Sequence, residues 1–187
     1  VTPARPDVAA LRRTGRLQPV PADTDTARAR MQVAAQHLAT AGRLLSESLD
    51  LEIAYVALYD AARKAVTAVM LAHGVRAANR AGAHEDVSIW AAEVLGPSCP
   101  AARRFDALRR RRNRSEYDDL VLSPTDVTID LADATDVVAA AHAADRRRTY
   151  GSVRISAPSA VTRIVCSNWA VRERSFVTTV QWSSQMS

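Results

Sequence analysis

Residues 50–74 read Asp50-Leu51-Glu52-Ile53-Ala54-Tyr55-Val56-Ala57-Leu58-Tyr59-Asp60-Ala61-Ala62-Arg63-Lys64-Ala65-Val66-Thr67-Ala68-Val69-Met70-Leu71-Ala72-His73-Gly74. Leu51, Tyr55, Leu58, Ala62, Val66 and Val69 recur at steps of three and four, the period of one helical face. Asp50 is a side-chain cap at the start and Gly74 a stop at the end. Many further apolar residues lie off the stripe, which places this helix at the centre of a bundle. Asp60, Arg63 and Lys64 interrupt the apolar run from Ile53 to Ala72, and charges are costly in hydrocarbon, so the segment reads as a buried core helix and not as a membrane span.

The flanking segments read the same way. Upstream, Asp23 or Thr24 caps a first long helix whose expected stripe is Met31, Ala35, Leu38, Gly42, Leu45 and Leu49. Residues 75–83 read as a connection. A third helix is expected from His84 to Leu95, with Val87, Ile89, Trp90 and Val94 as its apolar members, ended by Gly96-Pro97-Ser98-Cys99-Pro100. A fourth runs from Ala101 to Asp119, and Ser123-Pro124 opens a fifth that carries Val127, Leu131, Ala134, Val138 and Ala141 to Arg146-Arg147-Arg148. The expected architecture is all-α: an up-and-down bundle of four to five helices over residues 23–149, with a short N-terminal arm (1–22) and an irregular C-terminal extension (150–187). The arm holds Pro3, Pro6, Pro19 and Pro21 and promises at most one short helical turn. In the extension Ser, Thr and Val replace Ala, and Val161–Val165 and Phe176–Trp182 have strand-like composition.

Composition agrees with a helical globule. The chain has 187 residues, 48% hydrophobic but only 5% aromatic, and its abundant alanine favours helix over a β-sandwich. Net charge is +5, and Lys64 is the only lysine among 25 basic residues. Arginine suits planar contacts to carboxylate or phosphate, although a GC-rich genome produces the same bias. Cys99 and Cys166 have neither metal spacing nor partners nearby, so no disulfide scaffold and no zinc site are expected, and a reducing cytoplasm is the default. No apolar leader precedes the first helix. No Gly-rich phosphate loop, nucleotidyltransferase Gly-Ser motif or Ser-His-Asp arrangement is visible, and no cofactor is expected.

The chemically informative stretch is Arg109-Arg110-Arg111-Arg112-Asn113-Arg114-Ser115-Glu116-Tyr117-Asp118-Asp119. Phe105 and Leu108 anchor this helix, but Arg112, Ser115 and Asp119 follow on the same face, which therefore changes from apolar to polar halfway along. Asn113 and Tyr117 are one turn apart, and Arg112 and Glu116 are spaced to pair. A guanidinium there can hold a phosphate oxygen or stabilise charge developing on phosphorus. The bland alternative is a solvated basic face with an internal salt bridge, the usual fate of charge runs on helices. His84 is a second candidate, able to face Arg112 across the bundle; the plain alternative is a helix-start histidine. Tyr55, Tyr59 and Trp90 are expected to pack the core.

Tyr55 to Ala65 followed by Gly74-Val75-Arg76, then Gly82-Ala83-His84, and finally Phe105 to Tyr117 together resemble the second helix, third-helix start and signature helix of HEPN-family proteins. The resemblance spans residues 24–148. It implies a helical bundle that often dimerises. In active members it also implies a metal-independent ribonuclease site built on an Arg, a polar residue and a His. Arg112 and Asn113 match the first half, but Tyr117 stands at the histidine position. A phenol ionises near 10 and imidazole near neutrality, so the usual general acid–base is absent. Family members often sit beside a small nucleotidyltransferase in toxin–antitoxin modules. The resemblance thus implies an antitoxin-like protein that binds a partner nucleotidyltransferase, with Arg109, Arg110, Arg111, Arg114, Glu116 and Asp118 as partner or phosphate contacts. The rival is a ribonuclease toxin using Arg112, Asn113 and Tyr117, with His84 as an auxiliary. A third reading uses the arginine run as a salt-sensitive nucleic-acid surface.

Overall fold

The computed structural model describes residues 6–117 and 121–151. The 150–187 extension, with its two strand-like stretches and Cys166, lies outside the described residues apart from its first two positions. Eight elements follow one another: α1 (Val8–Arg13), β1 (Leu17–Pro19), α2 (Thr24–Ser46), α3 (Leu51–Ala72), β2 (Val75–Ala77), α4 (Ala83–Val94), α5 (Pro100–Tyr117) and α6 (Pro124–Gly151). The all-α bundle read from the sequence is the fold.

Helix starts lie where short polar side chains can take the orphan amides of a first turn. Asp23 accepts from the Thr26 amide at 2.9 Å, and Asp50 accepts from the Ile53 amide at 2.9 Å. Ser123 Oγ accepts from the Asp126 amide at 3.1 Å, ahead of Pro124 at the first helical position. α3 is the central element, packed against α2, α4, α5 and α6. Tyr55, Leu58, Ala62, Val66 and Val69 are all buried, and so are Ala54, Ala61, Ala65, Ala68 and Met70 on its other sides. Small alanines on most faces let four helices approach one axis closely.

Two sequence-based expectations are corrected. On α2 the buried positions are Ala27, Met31, Ala34 and Ala41, while Ala35 is exposed and Leu49 lies past the helix end with 63% of its surface exposed. Alanines at both 34 and 35 make neighbouring stripes indistinguishable by spacing. The N-terminal segment is likewise not a loose arm. Val8 and Leu11, one turn apart on α1, are buried, and the Val8 amide donates to Glu93 of α4 at 2.7 Å. β1 then pairs antiparallel with β2, Leu17 opposite Ala77 and Pro19 opposite Val75. Residues 75–77, read as a plain connection, supply the partner strand. Gly74 turns the chain from α3 into β2 at φ +67°, and a Cβ there would stand 2.9 Å from the Val20 carbonyl oxygen. Only glycine meets both demands without strain.

A buried carboxylate fastens this corner. Asp86 in the first turn of α4 has no exposed surface and is held by Arg16 and Arg80. A buried charge is tolerated only when paired in this way.

Candidate functional site

α5 carries the arginine run across the bundle surface. Phe105 and Leu108 bury its first half. Phe105 stacks on Tyr59 of α3, ring centroids 5.8 Å apart and planes 20° apart. Arg109 and Arg112 follow Phe105 at steps of four and three, and so continue its face. That face points to a tyrosine–histidine pair: the Tyr59 hydroxyl lies 3.4 Å from Nδ1 of His84 at the start of α4. Partial burial lowers the His84 pKa, and the positive charges of Arg63, Arg112 and Arg109 add to the effect. Imidazole in such a field stays neutral at neutral pH. Burial pushes the Tyr59 phenol up to about 12 against the pull of the same three arginines. Arg112 thus bears on His84 through its charge.

Asp60 organises the α3 side. It accepts from Arg63 at 2.9 Å and from Lys64 at 2.8 Å, and His37 of α2 lies 3.8 Å away. These partners hold the Asp60 carboxyl below its ordinary range although burial opposes them.

The signature residues themselves are divided. Arg112 pairs with Glu116 at 2.5 Å, the one-turn bridge that the spacing predicts. Asn113, about 100° further round the helix, lines a different and shallow hollow with Ala107, Arg110, Arg111 and Arg114. Tyr117 ends the described part of α5 with 78% of its surface exposed. The helix does not bring cation, amide and phenol to one point. Asp118 and Asp119 lie outside the described residues.

Most of the run's positive charge is directed into the protein. Arg109 and Arg110 bind Asp106 at 2.9 and 2.6 Å. Arg111 binds Asp130 of α6 at 2.7 Å and lies 3.6 Å from Asp126. Arg104 grips Asp133 with two nitrogens, at 2.7 and 2.5 Å. Arg114 is exposed and makes no ion pair among the described residues. The acidic ladder on α6 was not read from the sequence. Its signal was available: Asp126, Asp130 and Asp133 recur at four and three, and Arg104 and Arg111 lie seven apart. Tyr55 and Tyr59 pack the core as expected, but both hydroxyls also enter polar contacts, Tyr55 with Asp130 at 2.6 Å.

Among the described residues no cluster of histidine, cysteine and carboxylate side chains is placed to hold a metal ion, and Cys99 is buried as a free thiol. No helix among them is long and apolar enough to cross a membrane. The fold and this polar face define a small all-α bundle centred on α3, with an arginine-rich helix, α5, on its surface. No family model, curated protein or solved structure matches the chain.

Proposed function

We propose that the chain is a HEPN-like bundle acting as the antitoxin-like component of a toxin–antitoxin module, where it binds and neutralises a partner nucleotidyltransferase. One observation carries this reading. The position that needs a proton-shuttling imidazole holds Tyr117, a phenol at the exposed end of α5, while the signature cation Arg112 is closed onto Glu116. A surface of this kind offers hydrogen bonds and charge to a protein partner, and its guanidiniums are already oriented by carboxylates. Co-expression with the product of a neighbouring nucleotidyltransferase gene is expected to yield a co-purifying complex, weakened by Tyr117→Ala and Arg114→Ala. Purified chain incubated with RNA is expected to leave it intact. Cleavage that disappears in both Arg112→Ala and Tyr117→Phe would overturn the binding-only reading.

A second reading, a metal-independent ribonuclease toxin, draws support from His84. Its imidazole is kept neutral beside three arginines, the state of a general base next to phosphate-binding cations. This reading requires that cleavage be abolished by His84→Ala as well as by Arg112→Ala.

A further inference from the structure

A cleft of about 350 Å³ opens between the β1–β2 strand pair and helices α2, α3 and α4. Arg30 of α2, Arg63 of α3 and Arg76 of β2 line it from three different elements, and His84 lines it at the start of α4. Met70 and Val87 contribute to its apolar wall. No carboxylate is among the described residues that line it.

Each arginine has donor capacity to offer. Arg63 gives Nε and one terminal nitrogen to Asp60, and Arg76 gives the same two groups to Gln18, so each keeps its other terminal nitrogen. Arg30 is exposed and makes no ion pair among the described residues. The Tyr59 hydroxyl faces His84 Nδ1 at 3.4 Å; in the tautomer in which Nδ1 accepts, Nε2 carries the proton and the imidazole presents a further donor. Of the two carboxylates in the first turn of α4, Asp86 is neutralised by Arg16 and Arg80, and Glu85 lies 3.9 Å from Arg16. The cleft therefore combines an apolar wall with cationic side chains from three elements, the composition of a site for an anionic ligand with an apolar body. Three guanidiniums outnumber the single charge of a carboxylate, and guanidinium forks match phosphate oxygens.

We propose that this cleft binds a small phosphate monoester carrying a compact apolar group, its phosphoryl held by Arg30, Arg63 and Arg76 beside His84. The proposal does not rest on the partner-binding reading, since none of the partner-contact residues lines the cleft, although His84 and Arg63 also belong to the polar site beside Arg112.

Isothermal titration of the full chain with phenyl phosphate, inorganic phosphate and benzoate tests it. Phenyl phosphate is expected to bind about tenfold more tightly than either of the others. Arg30→Ala and Arg76→Ala are each expected to weaken it about tenfold, the loss of one charge-assisted contact. Both side chains are exposed, so thermal midpoints should stay unchanged, and Arg30→Gln, which keeps the bulk, should repeat the loss. Arg43→Ala, at the far end of α2, should bind as the parent does. The proposal is overturned by no binding of phenyl phosphate at millimolar concentration, by benzoate matching it, or by unchanged affinity in both arginine variants. Binding of RNA oligomers without binding of phenyl phosphate overturns it equally.

Discussion

The Tyr55 hydroxyl donates to Asp130 across the buried contact between α3 and α6, at 2.6 Å. The same carboxylate oxygen accepts from Arg111 of α5 at 2.7 Å. One acidic side chain thereby joins three helices, and the arginine run has a structural anchor in the middle of its length. Asp130 is only 8% exposed, so neither partner is easily replaced by water.

Tyr55→Phe should therefore destabilise the fold by about 2 kcal/mol, the cost of removing one donor from a buried charged acceptor. Urea unfolding would show a lower midpoint with an unchanged slope. Asp130→Ala should cost more, because it strands Arg111 as well as the hydroxyl. Equal effects of the two variants would show that Arg111 contributes nothing to the junction.

Stability should fall at alkaline pH. Burial, together with the hydrogen bond to Asp130, holds the Tyr55 phenol far above its ordinary value of 10.0, and burial raises Tyr59 to about 12. Both stay protonated in the native state while their unfolded counterparts ionise from about 10 upward. The unfolded chain then binds fewer protons, so stability is full below pH about 10 and declines above it. The expected slope is about 1.4 kcal/mol per pH unit for each tyrosine. For Tyr59 the loss is complete near its native value. Urea midpoints measured from pH about 8 to about 11 should stay level and then drop. Tyr59→Phe should roughly halve the slope.

His84 should titrate in the opposite sense. Its native pKa lies below the ordinary 6.5, through partial burial and then through Arg63, Arg112 and Arg109. Neutral His84 favours the native state above pH about 6.5, and that contribution is lost as pH falls through the native value. His84 is only partly buried, so solvent screens the effect and the direct readout is better than a stability curve. NMR titration of the ring protons should give an apparent pKa below 6.5. Arg112→Ala should move it upward, whereas Arg43→Ala should not. No movement in Arg112→Ala would separate the two residues and remove the support that His84 lends to a ribonuclease reading.

How far the sequence reached depends on whether a feature is local. Asp23, Asp50 and Ser123-Pro124 mark helix starts by contacts within three residues, and all three were legible. Arg112–Glu116 was legible for the same reason. β1 and β2 were not: three-residue strands carry no readable alternation, and Gln18 meets Arg76 only after 58 intervening steps of chain. The prolines of the first segment pointed to looseness, yet Pro19 ends a strand where it need not donate to the ladder. The bond from Arg111 to Asp130 joins two helices, which local spacing does not reveal. Arg112 and Asn113 belong together in the pattern of the signature helix, but neighbouring helical residues point about 100° apart, so the two meet different surroundings.

Two glycines, one inside a helix and one just past a helix end, should respond to alanine with opposite signs. Gly42 lies inside α2, and a Cβ there would meet nothing within 4 Å. Glycine in a helix interior costs about 0.5–1 kcal/mol relative to alanine, mostly through unfolded-state freedom, so Gly42→Ala should stabilise by that amount. Gly96 follows the end of α4, and a Cβ there would stand 2.0 Å from the Ala92 carbonyl oxygen and 3.0 Å from its carbon. The Ala92 backbone is fixed within the helix, so the clash cannot be relieved by a rotamer change. Gly96→Ala should destabilise by about 1–3 kcal/mol, as overpacking does. Thermal unfolding of the two variants side by side, with midpoints moving apart from the parent, checks both statements. A stabilised Gly96→Ala variant would mean that α4 ends earlier or turns differently from the arrangement in which the Cys99 amide donates to the Leu95 carbonyl at 2.9 Å.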